Sequence, residues 1–153
     1  MKRFTAFILA AAIAVLFCAC TNGKTLPEAP ELAAEIVEGL EFSDELEDSG
    51  AETAYSFYGI EPSMCKNASF FRGSSATVDE VAVFDCIDDA AAKEVLLCAE
   101  ERQQYLVDGY SNYGPEQVPK INTAVIKTIG NTVIFCISDT PEKLDKVIKA
   151  SYK

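Results

Sequence analysis

The chain has 153 residues, a formal charge of −11 and no histidine. That length bounds it to one domain of ordinary size, whose core can form without staples. The negative surface repels phosphate backbones, so nucleic acid is not an expected partner, and without imidazole neither Ser-His-Asp or Cys-His catalysis nor a histidine-ligated metal site is available.

Lys2 and Arg3 precede an apolar run from Phe4 to Phe17 that only Thr5 interrupts. A basic start, a short apolar stretch and a small residue before the cut form a secretory signal peptide. A cysteine directly after the cut makes it a bacterial lipoprotein signal. Cys20 follows the small Ala19, whereas Cys18 follows the bulky Phe17, so Cys20 is the expected acceptor of a diacylglyceryl group. The alternative is an uncleaved helix, but the run to Ala19 is short of the roughly 20 apolar residues of a span. Two acyl chains anchor stably where one does not, and a surface repelled by anionic headgroups leaves the holding to that anchor. The expected organisation is a signal peptide over 1–19, a lipidated tether over 20–30 and a single domain over 31–153. The expected location is the extracytoplasmic face of the cell membrane.

After the tether, Leu32, Ile36, Val37 and Leu40 recur at helical spacing and predict a helix over Glu31 to Leu40, with Gly39 weakening its last turn. Phe42 to Glu52 is acidic and loop-like. Ala51 to Tyr58 predicts a short helix ended by Gly59, and Met64 to Phe71 a strand. Arg72 to Ser75 reads as a turn, and Ala76 to Glu80 as a short helical turn. Val81 to Ile87 predicts a strand with Ala82, Phe84 and Cys86 on one face and Val81, Val83, Asp85 and Ile87 on the other. Asp88 or Asp89 then caps a long helix to about Val107, stopped by Gly109. Its buried stripe is Ala91, Val95, Cys98, Ala99, Arg102 and Leu106. Tyr110 to Lys120, with Pro115 and Pro119, reads as an irregular crossing. Ala124 to Ile129 and Thr132 to Ser138 form a hairpin on the turn Gly130-Asn131, in a register pairing Val125 with Cys136 and Ile126 with Phe135. A last helix runs over Pro141 to Ser151, capped by Asp139 or Thr140 with Pro141 in its first turn. The order α-(α)-β-β-α-β-β-α predicts an α+β domain, an antiparallel sheet of about four strands with helices packed on it in two layers. The apolar second face of the last hairpin suggests that the first helix covers part of it.

Particular stretches of this pattern are familiar. The Cys20 leader, Tyr58-Gly59-Ile60, Glu80 to Phe84, Glu101-Arg102-Gln103, Tyr113 to Lys120, Asn122 to Val125 and Gly130-Asn131 together span nearly the whole mature chain. On these the protein resembles the uncharacterised bacterial lipoprotein family catalogued as domain of unknown function 4358. The resemblance implies a surface lipoprotein of unknown role and carries no catalytic residues to transfer. Cys65, Cys86, Cys98 and Cys136 are not part of the family pattern.

Few residues remain that folding does not explain. Tyr105, Tyr110 and Tyr113 surround the crossing; their rings offer an apolar body with a polar tip for a sugar or peptide, or they pin the loop to the helix. Arg102 on an apolar stripe can hold an anion by its planar fork, or pair internally, with Glu116 as a candidate. The acidic run Asp44 to Asp48 lacks the spacing of a calcium loop and reads as solvated, so no metal site and no cofactor is expected. Asp88-Asp89 reads as a helix cap. The four cysteines after Cys20 contain no CxxC motif; they are buried thiols or form one or two disulfides. The leading expectation is a membrane-anchored binding module for a protein or polymer of the cell envelope. The rivals are a hydrolase working with carboxylates alone, and a thiol redox protein should two of the four cysteines prove adjacent and exposed.

Overall fold

The stretch Glu80 to Cys86 carries apolar residues in both phases of its alternation, the pattern of a strand covered on two sides. The computed structural model, which describes residues 24–153, places it at the centre of a five-stranded sheet. In chain order the strands are β1 (Glu47–Asp48), β2 (Cys65–Arg72), β3 (Glu80–Cys86), β4 (Val125–Ile129) and β5 (Thr132–Ile137). They run antiparallel in the order β1-β2-β3-β5-β4. The helices are α1 (Ala29–Gly39), α2 (Ala51–Tyr58), α3 (Asp89–Tyr113), α4 (Val118–Ile121) and α5 (Leu144–Ser151). The chain is therefore α+β. It has one strand more than the four expected, because the acidic stretch read as loop contributes β1, which pairs with Phe71 and Arg72. The expected signal peptide, its cleavage site and Cys20 lie outside the described residues.

Phe70, Phe84, Phe135 and Ile137 on one sheet face meet α2 and α3, while Val81, Val83, Ile134 and Cys136 on the other meet α1 and α5. The predicted two layers are thus three, since α1 and α5 together cover the second face. On the first face Tyr58 stands edge-on to Phe70, Phe84 and Phe135 at centroid distances of 5.9, 5.1 and 5.5 Å. Each such pair adds about 0.5–1.5 kcal/mol beyond the area it buries.

Helix α1 begins at Ala29, two residues earlier than its periodicity indicates. Its first N–H is satisfied from a distance: Ala29 N–H donates to Asp85 Oδ2 at 2.6 Å, and Asp85 Oδ1 accepts from Thr132 Oγ1 at 2.9 Å. That explains a carboxylate in the otherwise apolar phase of β3. Thr25 and Lys153 exchange both backbone hydrogen bonds and Ala29 is fully buried, so Thr25 to Pro30 belongs to the folded body rather than to a free tether. Ala76 to Asp79 forms no helical turn and leads directly into β3. Pro141–Lys143 is a 3₁₀ turn that runs into α5.

Asp88 caps α3, its Oδ1 accepting from Ala91 N–H at 2.8 Å. The helix continues through Gly109 to Tyr113 and ends at Gly114. An interior glycine costs about 1 kcal/mol relative to alanine, and the turn beyond it is held by Tyr110, whose hydroxyl donates to the Thr77 carbonyl at 3.2 Å. Pro115 supplies the stop by disfavouring helical geometry in the residue before it. The supposed irregular crossing is thus the end of α3, a 3₁₀ turn over Pro115–Gln117 and α4. The hairpin has the predicted register, Val125 opposite Cys136 and Ile126 opposite Phe135. Gly130 takes the left-handed turn position at φ 56°.

Gly39 does more than weaken a helix end. A β-carbon there would lie 2.6 Å from Val147 Cγ2 of α5, so α1 and α5 approach over a missing side chain. Gly39→Ala is expected to destabilise the chain by about 1–3 kcal/mol through overpacking. Adding Val147→Ala should recover part of that loss in urea unfolding, whereas a propensity effect alone would make Gly39→Ala stabilising.

Candidate functional site

The end of α2, the turn after β2 and the last three turns of α3 enclose a cleft of about 490 Å³, within the range of small-molecule sites. All four residues singled out from sequence, Arg102, Tyr105, Tyr110 and Tyr113, line it. They lie on one helix at spacings of three to five residues, so the continuation of α3 past Gly109 is what assembles them.

The floor is a buried charge cluster. Glu80, 4% exposed, receives a forked ion pair from Arg102, with Nε to Oε1 at 3.0 Å and Nη2 to Oε2 at 2.6 Å. Tyr58 Oη donates to the same Oε1 at 2.6 Å. Burial and then the Glu80 charge hold the Tyr58 hydroxyl well above its ordinary pKa, so it remains a donor. The partner of Arg102 is Glu80, not the Glu116 suggested by sequence. Its guanidinium also lies over the rings of Phe57 at 5.1 Å, Tyr58 at 5.8 Å and Tyr105 at 5.8 Å. With its fork occupied, Arg102 is a wall of the cleft rather than a free anion binder.

Beside it, Asp79 is bound separately. Lys120 of α4 forms ion pairs with Asp79 Oδ1 and, at 2.6 Å, with Asp139 Oδ1. Asp79 Oδ2 accepts from Ser43 N–H at 2.8 Å. The turn after β2 is held by Asp44, whose Oδ2 accepts from Ser74 N–H at 2.8 Å. Hydrogen bonds from Ser74 keep the Asp44 carboxyl below its ordinary pKa. One member of the acidic run therefore shapes the cleft. Among the described residues, no group of three or more Cys, Asp or Glu side chains is placed to hold a metal ion.

The tyrosines divide by exposure. Tyr105 and Tyr113 are 69% and 71% exposed. Tyr110 is half-buried, 4.8 Å from the Tyr113 ring, and its bond to Thr77 ties the turn to α3. Burial, then the neighbouring Tyr113, raise its pKa. Sequence reasoning missed Phe57 and Arg72. Arg72 is exposed at the end of β2, with its guanidinium 5.2 Å over the Phe57 ring. The available signal was rarity: of three arginines in the chain, both described ones stack on this one phenylalanine.

No curated protein and no solved structure matches this chain. A family model matches residues 39–138, a span that runs from the end of α1 past β5 and includes every residue of the cleft. The chain belongs to that family, described as Domain of unknown function (DUF4358).

Proposed function

We propose that the protein is a lipoprotein anchored through Cys20 on the extracytoplasmic face of the membrane, and that its cleft binds a component of the cell envelope. The observation that carries this reading is the pairing of two well-exposed rings, Tyr105 and Tyr113, with the Arg72–Phe57 stack around one concave surface. Rings and guanidinium planes present flat apolar faces with polar edges, suited to a sugar ring or a peptide side chain. Placement outside the cytoplasm rests on the leader sequence, Lys2 to Cys20. Among the described residues no helix is long and apolar enough to cross a membrane.

The carboxylate hydrolase is less well supported. It needs one carboxyl group to donate a proton and a second, across the bond, to act as base or nucleophile. The two buried acids at this cleft, Asp79 and Glu80, are each committed to a cation.

The test uses the full chain, immobilised and exposed first to fragmented cell-wall polymer and then to solubilised envelope protein. Tyr105→Ala with Tyr113→Ala should reduce capture of one of them by about tenfold, equivalent to about 1.4 kcal/mol, with the melting temperature unchanged. In the producing cell, Cys20→Ala should move the protein out of the membrane fraction. Equal capture by the double variant would refute the cleft, and membrane retention of Cys20→Ala would refute the anchor.

A further inference from the structure

The first residue of β2 and the last of β3 are both cysteines, and the register sets Cys65 directly opposite Cys86. The hydrogen-bond pattern identifies the kind of pair. Ile87 N–H donates to the Met64 carbonyl at 2.9 Å, so the bond closes one residue outside the pair. Cys86 N–H donates away from β2, to the Asn131 carbonyl at 2.8 Å. Cys65 and Cys86 are therefore a non-hydrogen-bonded pair. In such pairs the Cα atoms are about 4.5 Å apart and the side chains lie on one face at their closest approach. A disulfide spans Cα separations of roughly 4.4–6.8 Å. The register shift between Cys65 and Asn67 places a bulge beside Cys65, which lets its backbone adjust.

We propose that Cys65 and Cys86 form an oxidation-sensitive pair, joined as a cross-strand disulfide when a small-molecule or protein disulfide is the oxidant. Both are thiols in this structure. They differ in exposure. Cys65 is half-buried at the sheet's end, whereas Cys86 is 1% exposed. The Cys86 Sγ–H donates to the Phe84 carbonyl at 3.8 Å, and the neighbouring thiol lowers the pKa of Cys65 while Cys65, then burial, raise that of Cys86. The Cys65 thiolate attacks one sulfur of the oxidant, forming a mixed disulfide and expelling a thiolate. The Cys86 proton passes to the expelled thiolate, and the Cys86 sulfur attacks the Cys65 sulfur, expelling the second thiolate, which takes a proton from water. Two protein thiols and one disulfide become one protein disulfide and two thiols.

The other two cysteines are placed less well. Cys136 is buried on the opposite sheet face, where burial pushes its pKa up to about 12. Cys98 is on α3, packed against the same core face, without a strand register to align it. The pair lies at the far end of β2 from Arg72, seven residues or about 23 Å along the strand. The inference therefore stands or falls independently of the cleft.

The full chain is incubated with oxidised glutathione, unfolded, alkylated and digested, and the peptides are identified by mass. The expected product is one cross-linked peptide joining Cys65 to Cys86, lost on reduction. Oxidised protein should melt about 10 °C above the reduced form. Cys65→Ser, a change at a half-buried site, should abolish both the cross-link and the shift. Recovery of Cys65 and Cys86 both alkylated, of glutathione retained on Cys65, or of a link to Cys98 would overturn the proposal.

Discussion

Arg102→Ala is expected to lower the unfolding free energy by about 3–5 kcal/mol, the range for removing one partner of a buried ion pair. The Glu80 carboxylate would keep its bond from Tyr58 on Oε1 but lose both contacts from the guanidinium, with its side chain only 5% exposed. The change also strips the cation from over the Phe57 and Tyr58 rings. Paired with Glu80→Gln, an Arg102→Met substitution should recover much of the stability, because a neutral pair of similar volume leaves no isolated charge. Urea unfolding of the two variants against wild type checks this. A loss below about 1 kcal/mol for Arg102→Ala would mean that the pair behaves as a surface ion pair does.

Lys120→Ala is expected to cost about 3 kcal/mol. Asp79 has no exposed side-chain surface, and the remaining donor to it is Ser43 N–H. The effect carries a pH signature. Lys120 holds the Asp139 carboxyl below its ordinary value of 3.8 through a hydrogen bond, burial opposing and Ser43 adding to it. That contribution is present above pH 3.8 and is lost as pH falls through the folded value. For Lys120, burial works against the charge, but Asp139 and Asp79 outweigh it and raise the pKa above 10.5. That contribution is complete below pH 10.5 and is lost as pH rises through the folded value. The gap between wild type and variant should therefore be widest between these limits and narrow at both ends. A gap independent of pH from 2 to 12, in the order-of-magnitude window set by ordinary carboxylate and lysine values, would show that Lys120 acts by packing.

Several elements were determined by the sequence alone because their causes are local. The alternation from Val81 to Cys86 sets which side chains face each way. Asp88 caps α3 from three residues away. Gly130 supplies a backbone conformation that the two-residue turn requires, and the turn then fixes the pairing of Val125 with Cys136. The resemblance to the DUF4358 family was likewise legible in short motifs, as was the stripe that carries Arg102.

What only the tertiary structure decided are the partners. Arg102 meets Glu80 across 22 positions of chain, and Asp85 reaches Ala29 across 56. No periodicity in the sequence encodes such a meeting, because each depends on which strand the register brings under which helix. The same holds for β1, two residues that are a strand solely because β2 offers them an edge. Gly109 reads as a helix stop until the Tyr110–Thr77 bond makes continuation worth more than the glycine costs. Continuation of α3 and closure of the β2–β3 register in turn bring Phe57 and Arg72 beside the three tyrosines, and Cys65 opposite Cys86. Local chemistry chose the elements of this protein, while long-range pairing of strands and charges assembled its cleft and its thiol pair.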